Sequence, residues 1–330
     1  MLQILLTVLQ FLKTHLKLCN STILCLKFSI HSILGTGQNL LIVVTLFAVY
    51  VNCVILYVLN SKPVFKESSR YILFAHMLFN DTVHLILTFF LFVFAVIFLK
   101  LAKAVCSIIL FFNSTTFYIA PLNLAVMSLE RYVAICFPLR HTEIATQKRT
   151  GIAIGFVWLL GSINILIDII TAAILDPRFF NAEMYCSREQ LFYRLWQPEV
   201  FSVFIGVYFV SVTLIIIFTY ISIMITARSV SSNKDSAKKA HRTVLLHFVQ
   251  LGLCTMSFLY NTIDRALYIV TGSGNSLYLH VQYVNFLFLL ILPRCLSPLI
   301  YGLRDDAIRP LFKHYFCPCF RKFSPAVNVQ

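Results

Sequence analysis

An all-α membrane protein, a seven-transmembrane helix bundle with a short amphipathic eighth helix, is the fold class this sequence predicts, and three observations predict it. The 330 residues are 59% hydrophobic and only 12% charged, where soluble globular chains run at roughly 45–50% and about 25%. Mean hydropathy is +0.84, so a water-soluble fold has too little charge to cover its apolar surface. The apolar residues also fall in runs of about 20 or more, the length that crosses roughly 30 Å of hydrocarbon at about 1.5 Å per residue.

Seven runs qualify, at about residues 39–59, 71–94, 105–135, 151–175, 200–227, 243–270 and 279–303. They leave 1–38 as an amino-terminal tail, 39–303 as the membrane domain and 304–330 as a second tail. Lys and Arg outnumber Asp and Glu 27 to 13. The basic residues form short clusters between apolar runs, with no stripe interleaved with aromatics, which excludes a nucleic-acid partner and points to membrane lipids. With the amino terminus extracellular, inner segments hold 17 Lys and Arg and outer segments 9, so the carboxyl terminus is expected to be cytoplasmic. Residues 1–12 are apolar but lack a basic n-region and a small-residue cleavage site. That disfavours a signal peptide, against an amphipathic surface segment or a misplaced start. Asn20 heads a glycosylation sequon in the outward tail, whereas the sequons at Asn80 and Asn113 fall inside spans and should stay unmodified. After the seventh run, Leu303, Ile308, Leu311, Phe312, Tyr315 and Phe316 form the amphipathic eighth segment, with Cys317 and Cys319 behind it as palmitoylation candidates.

Seven spans suit a receptor, a transporter or a membrane enzyme, so the polar residues within them decide. Asp81 is the clearest case, since a mid-span Asp costs about 2.5–3.5 kcal/mol to insert. Its expected partners are Asn52 in the first span and Ser297 in the seventh. This intramembrane node is either a structural hydrogen-bond centre or a switch whose protonation or ion occupancy changes.

The third span ends Met127-Ser128-Leu129-Glu130-Arg131-Tyr132-Val133-Ala134-Ile135-Cys136-Phe137-Pro138-Leu139-Arg140-His141. This resembles the rhodopsin-like (class A) G-protein-coupled receptors, and within them the odorant (olfactory) receptors, whose run is close to M-A-Y-D-R-Y-V-A-I-C-x-P-L-R-Y. Here Glu replaces Asp, Ser-Leu replaces Ala-Tyr and His replaces the last Tyr. Lys239-Ala240-His241-Arg242-Thr243 with His247 is similar to the family's opening of the sixth span. The run from Pro293 to Arg304, containing Pro298 and Tyr301, is similar to its seventh-span ending. Trp158 and Tyr220 stand at the family's fourth-span tryptophan and fifth-span tyrosine. The Pro293-Arg294 pair and the Arg309-Pro310-Leu311-Phe312-Lys313 ending look most like fish-type odorant receptors.

The resemblance implies a switch for G-protein coupling made of Glu130, Arg131, Tyr132, Tyr220, His247, Pro298 and Tyr301. Arg131 is neutralised by Glu130 at rest and released when the sixth span swings outward; the alternative is an arginine that only snorkels to the headgroups. It implies a disulfide between Cys106 and Cys186, a plasma-membrane location in olfactory sensory neuron cilia, and a stimulatory (olfactory-type) α subunit that raises cyclic AMP. A small-molecule odorant should bind among the outer halves of spans three, five, six and seven. Asn113, Ser114, Phe117 and Tyr118 lie nearly a turn apart on the third span, and Phe258, Leu259 and Thr262 form the facing stripe on the sixth. Ordinary helix packing is the other reading of these aromatics.

Three departures stand out. Ser297 replaces the usual Asn, Ala120 sits where many relatives place a polar residue, and Thr255 sits where most rhodopsin-like receptors have a tryptophan. The first two argue against a sodium ion beside Asp81. Asn113 in place of an acid disfavours an amine ligand, and the absence of Lys from the seventh span excludes a retinal Schiff base. Asp168, Asp264 and Arg265 either hold a charged odorant or pair with loop residues. No cofactor or metal ligand set is expected, and without a His-Glu-x-x-His spacing or a Gly-x-Ser-x-Gly elbow the chain is not expected to be an enzyme. A transporter would show an internal repeat, which is not seen. A receptor of the same family for a metabolite or lipid outside the nose is the remaining alternative.

Overall fold

The computed structural model describes residues 36–61, 63–230 and 284–296, with Val249, Gly252, Ser257, Tyr260, Ile263, Leu267, Val281, Pro298 and Ile308 as single positions. The chain divides into two compact units, Met1–Phe47 and Ala48–Gln330. In the first, the described residues 36–47 are helical. Five helices, four of them in the second unit alone, carry apolar stretches long enough to cross a membrane. These are α1 (Thr36–Ser61), α2 (Ser69–Val96), α3 (Lys103–Cys136), α4 (Gln147–Leu175) and α5 (Trp196–Val230). They fall on the first five predicted spans. Of the sixth, the described positions from Val249 to Leu267 are helical, and of the seventh, Phe286–Leu296 is helical. The eighth helix lies outside the described residues apart from Ile308, which is helical and buried. Asn20, Cys317 and Cys319 lie outside them altogether.

Local chemistry sets the helix ends. The side chain of Thr146 accepts from the Arg149 N–H at 3.3 Å and caps α4. Phe137, held out of the helical region by the ring of Pro138, ends α3. α2 ends in a Schellman turn: the N–H of Leu99 meets the Phe94 carbonyl at 2.9 Å and that of Phe98 meets Ala95 at 3.2 Å. Phe98 takes the left-handed conformation (φ 52°) that glycine usually fills there. The turn leads into strand β1 (Lys100–Ala102), which pairs antiparallel with β2 (Glu183–Tyr185), Leu101 opposite Met184.

α3 is the central helix, packed against α2, α4 and α5. Its seam with α2 is polar and regular. His76, Asn80, His84 and Thr88 recur every four residues on α2, one row of a helix surface. Asn80 donates to the Thr116 carbonyl at 2.8 Å, and the His84 ring lies 3.2 Å from the carbonyl of Asn113. Asn113 in turn donates to Thr88 at 2.8 Å. Trp158 of α4 donates to His76 Nε2 at 2.9 Å, and His76 Nδ1 donates to Asn123 Oδ1 at 3.3 Å. In lipid such groups have no water to turn to, so pairing them fixes the register of α2 on α3. Where α4 crosses α3, Gly161 brings the backbones close: a Cβ there would sit 3.1 Å from Ile119 and 3.3 Å from the Thr115 carbonyl. Facing outward, Ile152, Ile174, Val203, Val207, Leu214 and Ile225 are exposed. On a helix apolar all round, exposed aliphatic side chains are a lipid-facing surface.

Candidate functional site

Polar side chains gather at three depths along α3. At its carboxyl end Glu130, with its side chain only 8% exposed, lies 3.5 Å from the Arg131 guanidinium and 3.3 Å from His141. One carboxylate thus faces two basic side chains. Tyr132 packs on Phe137 and on Phe218 of α5, with ring centroids 5.7 and 5.6 Å apart. Cys136 lies 3.3 Å from the Thr226 hydroxyl, joining α3 to α5; Tyr220, also on α5, is half-buried. Pro298 is buried, while His247 and Tyr301 lie outside the described residues.

At mid-depth Asp81 is buried, and its partner differs from expectation. Arg294 Nη1 donates to Asp81 Oδ1 at 2.8 Å, the side chains being 4% and 1% exposed. Among the described residues neither polar atom of the buried Asn52 amide has a hydrogen-bond partner, and Ser297 lies outside them. The physical reason is charge: in a low dielectric a guanidinium satisfies a carboxylate far better than a neutral amide does. Arg294 Nη2 also donates to the Phe117 carbonyl at 3.3 Å, and the guanidinium carbon stands 5.9 Å from the Phe117 ring centroid.

At the Cys106 end the Cys106–Cys186 disulfide joins α3 to the segment between α4 and α5. Two residues on, Arg188 enters the helices. It donates through Nε to Asp168 at 3.0 Å and through Nη1 to the Tyr118 hydroxyl at 3.1 Å, bonds Asn164, and lies 4.1 Å from the Phe201 ring centroid. Gln197 closes the cluster on Asp168 at 3.1 Å. Asp168 therefore pairs with a loop residue, the second of the two roles open for it; Asp264 and Arg265 lie outside the described residues. Nearby, Lys103 bridges Asp176 and the Tyr193 hydroxyl. The Lys103 ammonium beside Asp176 holds its carboxyl down at about 2.

The four expected ligand positions on the third span do not share one face. Asn113 turns to Thr88 of α2, and Phe117 to Arg294 and to the His84 ring, 5.8 Å away. Tyr118, 2% exposed, turns to Phe204 and Tyr208 of α5. Ser114 is half-buried. A stripe with members at i, i+1, i+4 and i+5 covers about 140° of helix, wide enough to reach different neighbours. Phe258, Leu259 and Thr262, the expected facing wall, lie outside the described residues. A cavity of about 590 Å³ opens elsewhere, lined by Leu56, Tyr57, Phe65, Tyr71 and His76. Among the described residues no group of His, Cys, Asp and Glu is placed to hold a metal.

Sequence reasoning gave no role to Arg188 or Arg294, among other residues of the site. The signal for Arg294 was a lone guanidinium in an apolar run, which needs a buried anion; for Arg188 it was proximity to the bridged Cys186.

A bundle with a disulfide at one end of its central helix and an acid–arginine pair at the other belongs to a known class. The profile of the 7 transmembrane receptor (rhodopsin family) matches residues 51–301, and the chain belongs to that family, among its odorant receptors. It is similar to odorant receptor 131-2 of Danio rerio, 35% identical over 272 residues that cover 81% of this chain and 82% of that receptor. Olfactory receptor 5G26 of Mus musculus is 30% identical over 216 residues, 60% of this chain and 63% of that one. Olfactory receptor 11H7 of Homo sapiens is 29% identical over 201 residues, 59% and 61%. The chain is a multi-pass membrane receptor and not an enzyme.

Proposed function

We propose that this receptor binds a small-molecule odorant in the outer, Cys106-side half of the bundle and activates a heterotrimeric stimulatory G protein, raising cyclic AMP. The observation that carries the reading is the pairing of Arg131 with a nearly buried Glu130 at the far end of α3. A cation held by its neighbour at rest is a two-state element: a ligand that binds the released state better by a few kcal/mol shifts the population. Tyr132, next in the chain and packed on Phe218 of α5, stands to receive the change, and Tyr220 follows two residues on along α5. Small size of the odorant follows from a binding region set among side chains of the helices themselves, Phe117 foremost.

The Cys106–Cys186 disulfide needs an oxidising compartment, which supports an extracellular Cys106 end, an extracellular amino terminus and a cytoplasmic carboxyl terminus. The names of the relatives support a setting in the cilia of olfactory sensory neurons. Glycosylation at Asn20 and palmitoylation at Cys317 and Cys319 belong to the same reading. The experiment is cyclic AMP in cells carrying the stimulatory α subunit, challenged with amino acids, bile acids and small polar volatiles, with amino-terminal tag staining as the gate. A ligand-driven rise that Arg131→Ala abolishes at equal surface amounts supports the proposal. A rise that survives in Arg131→Ala refutes the switch, and silence across the panel at full surface display counts against the stimulatory transducer.

A further inference from the structure

Two prolines lie inside helices near the middle of their spans, and each removes the N–H that the carbonyl four residues back would ordinarily accept from. Pro121 in α3 has no N–H to offer the carbonyl of Phe117, four residues back. Pro293 likewise has none for Leu289. Both carbonyls are served from another span: Phe117 accepts from Arg294 at 3.3 Å, and Leu289 accepts from the hydroxyl of Ser257. Such re-satisfaction is what makes proline tolerable in lipid. The helix just before Pro293 is underwound into a π turn, Phe286–Ile291, a rare feature found frequently at functional sites.

Arg294 therefore sits in a cradle of oxygen acceptors on two other helices, Asp81 Oδ1 of α2 and the proline-opened carbonyl of α3, under the face of Phe117. Its side chain is 4% exposed. A buried carboxylate demands a cation, and here the cation is covalently part of the seventh span. We propose that Arg294 is a positioning residue: a resident cation that takes the place of any free one at Asp81, clamps spans two, three and seven in the resting arrangement, and is loosened when ligand displaces Phe117. This rests on the reading of the chain as a ligand-activated receptor. The chemistry also dictates how the clamp opens. The guanidinium keeps its bond to Asp81 while exchanging the weaker one to the Phe117 carbonyl, so the seventh span moves with α2 and away from α3. The π turn, whose hydrogen bonds are already one residue out of step, supplies the give.

Two measurements test it on the full-length receptor; both are read without agonist, and an odorant enters only to identify a responding α subunit. The first is thermal unfolding of the purified protein in sodium chloride against choline chloride at equal ionic strength. The wild type should show no sodium-specific shift. Arg294→Gln, which leaves Asp81 without its cation, should become sodium-stabilised, and adding Asp81→Asn should abolish that gain. Sodium stabilisation of the wild type, or none in Arg294→Gln, overturns the resident-cation claim. The second is agonist-free nucleotide exchange in membranes supplied in turn with each class of G-protein α subunit. Arg294→Gln should raise it by roughly tenfold, the room that a minor active state of about 0.1–10% leaves, while Arg294→Lys, which keeps a cation, should remain low. A merely structural pair would lower folding without raising exchange, so unchanged exchange per folded receptor with a responding α subunit overturns the clamp. If no α subunit responds even to wild type with any odorant, the receptor reading fails, while the cation measurement still decides the site.

Discussion

Arg188→Ala tests the loop that descends toward α3. The guanidinium has its side chain 13% exposed and holds Asp168, whose side chain is 4% exposed. Removing it leaves that carboxylate with Gln197 alone, at 3.1 Å, among the described residues. Breaking a buried pair from one side costs about 3–5 kcal/mol. The partial exposure of Arg188 and the retained Gln197 bond put the loss at the low end, about 3 kcal/mol. The lost contact with Phe201 adds about 0.5–1 kcal/mol. The sum predicts a fall in Tm on the order of 8 °C, at about 2 °C per kcal/mol for a large domain. Thermal unfolding of the purified full-length receptor measures it. The companion variant replaces both partners, Arg188→Met with Asp168→Leu, and should recover most of the loss because no charge is left unpaired. A single variant within about 2 °C of wild type, or a double variant as unstable as the single one, refutes the argument.

Asp176 predicts a pH dependence. Its folded carboxyl, held near 2 by Lys103, lies below the unfolded value of about 3.9, so the pair stabilises above pH ~4 and that contribution is lost as pH falls toward 2. The Tm gap between wild type and Asp176→Asn should be constant near neutrality and close between about pH 4 and 2. Gly161→Leu should cost about 1–3 kcal/mol in unfolding experiments by wedging α4 off α3. Phe98→Gly, at a position 76% exposed, should raise stability by up to about 1 kcal/mol by removing left-handed strain, read as a rise in Tm. Trp158→Phe strips the donor from His76 Nε2 and should cost about 1–3 kcal/mol by the same assay.

The first five spans were legible because length and apolarity are properties of a run, and lipid accepts few alternatives to a helix. Pairings were another matter. Asp81 announced its need for a partner, but Arg294 lies 213 residues away, and nothing local ranks it above Asn52. The polar row on α2 was readable in principle, since His76, Asn80, His84 and Thr88 stand four apart on one face of a helix. Phe98 was not readable, because no phenylalanine signals a left-handed turn. The coupling motif at Glu130 and Arg131 was plain, whereas His141 as a second claimant on Glu130 depends on how the chain folds back after Pro138. The spread of Asn113, Phe117 and Tyr118 over different neighbours likewise depends on which helices flank α3.

The polar row on α2 has a consequence for how the receptor is made. The ribosome delivers α2 before α3, and α2 alone presents two histidines, an asparagine and Asp81 to the bilayer. Its most apolar stretch is less apolar than those of α1, α4 and α5, and that of α3 is lower still. An intramembrane Asp alone is charged about 2.5–3.5 kcal/mol at the translocon. α2 is therefore a reluctant inserter, and its polar groups are paired once the helix that follows packs beside it. Nascent chains halted between the two should slip back toward water, and the yield at the cell surface should depend on how quickly synthesis hands α3 to its waiting neighbour.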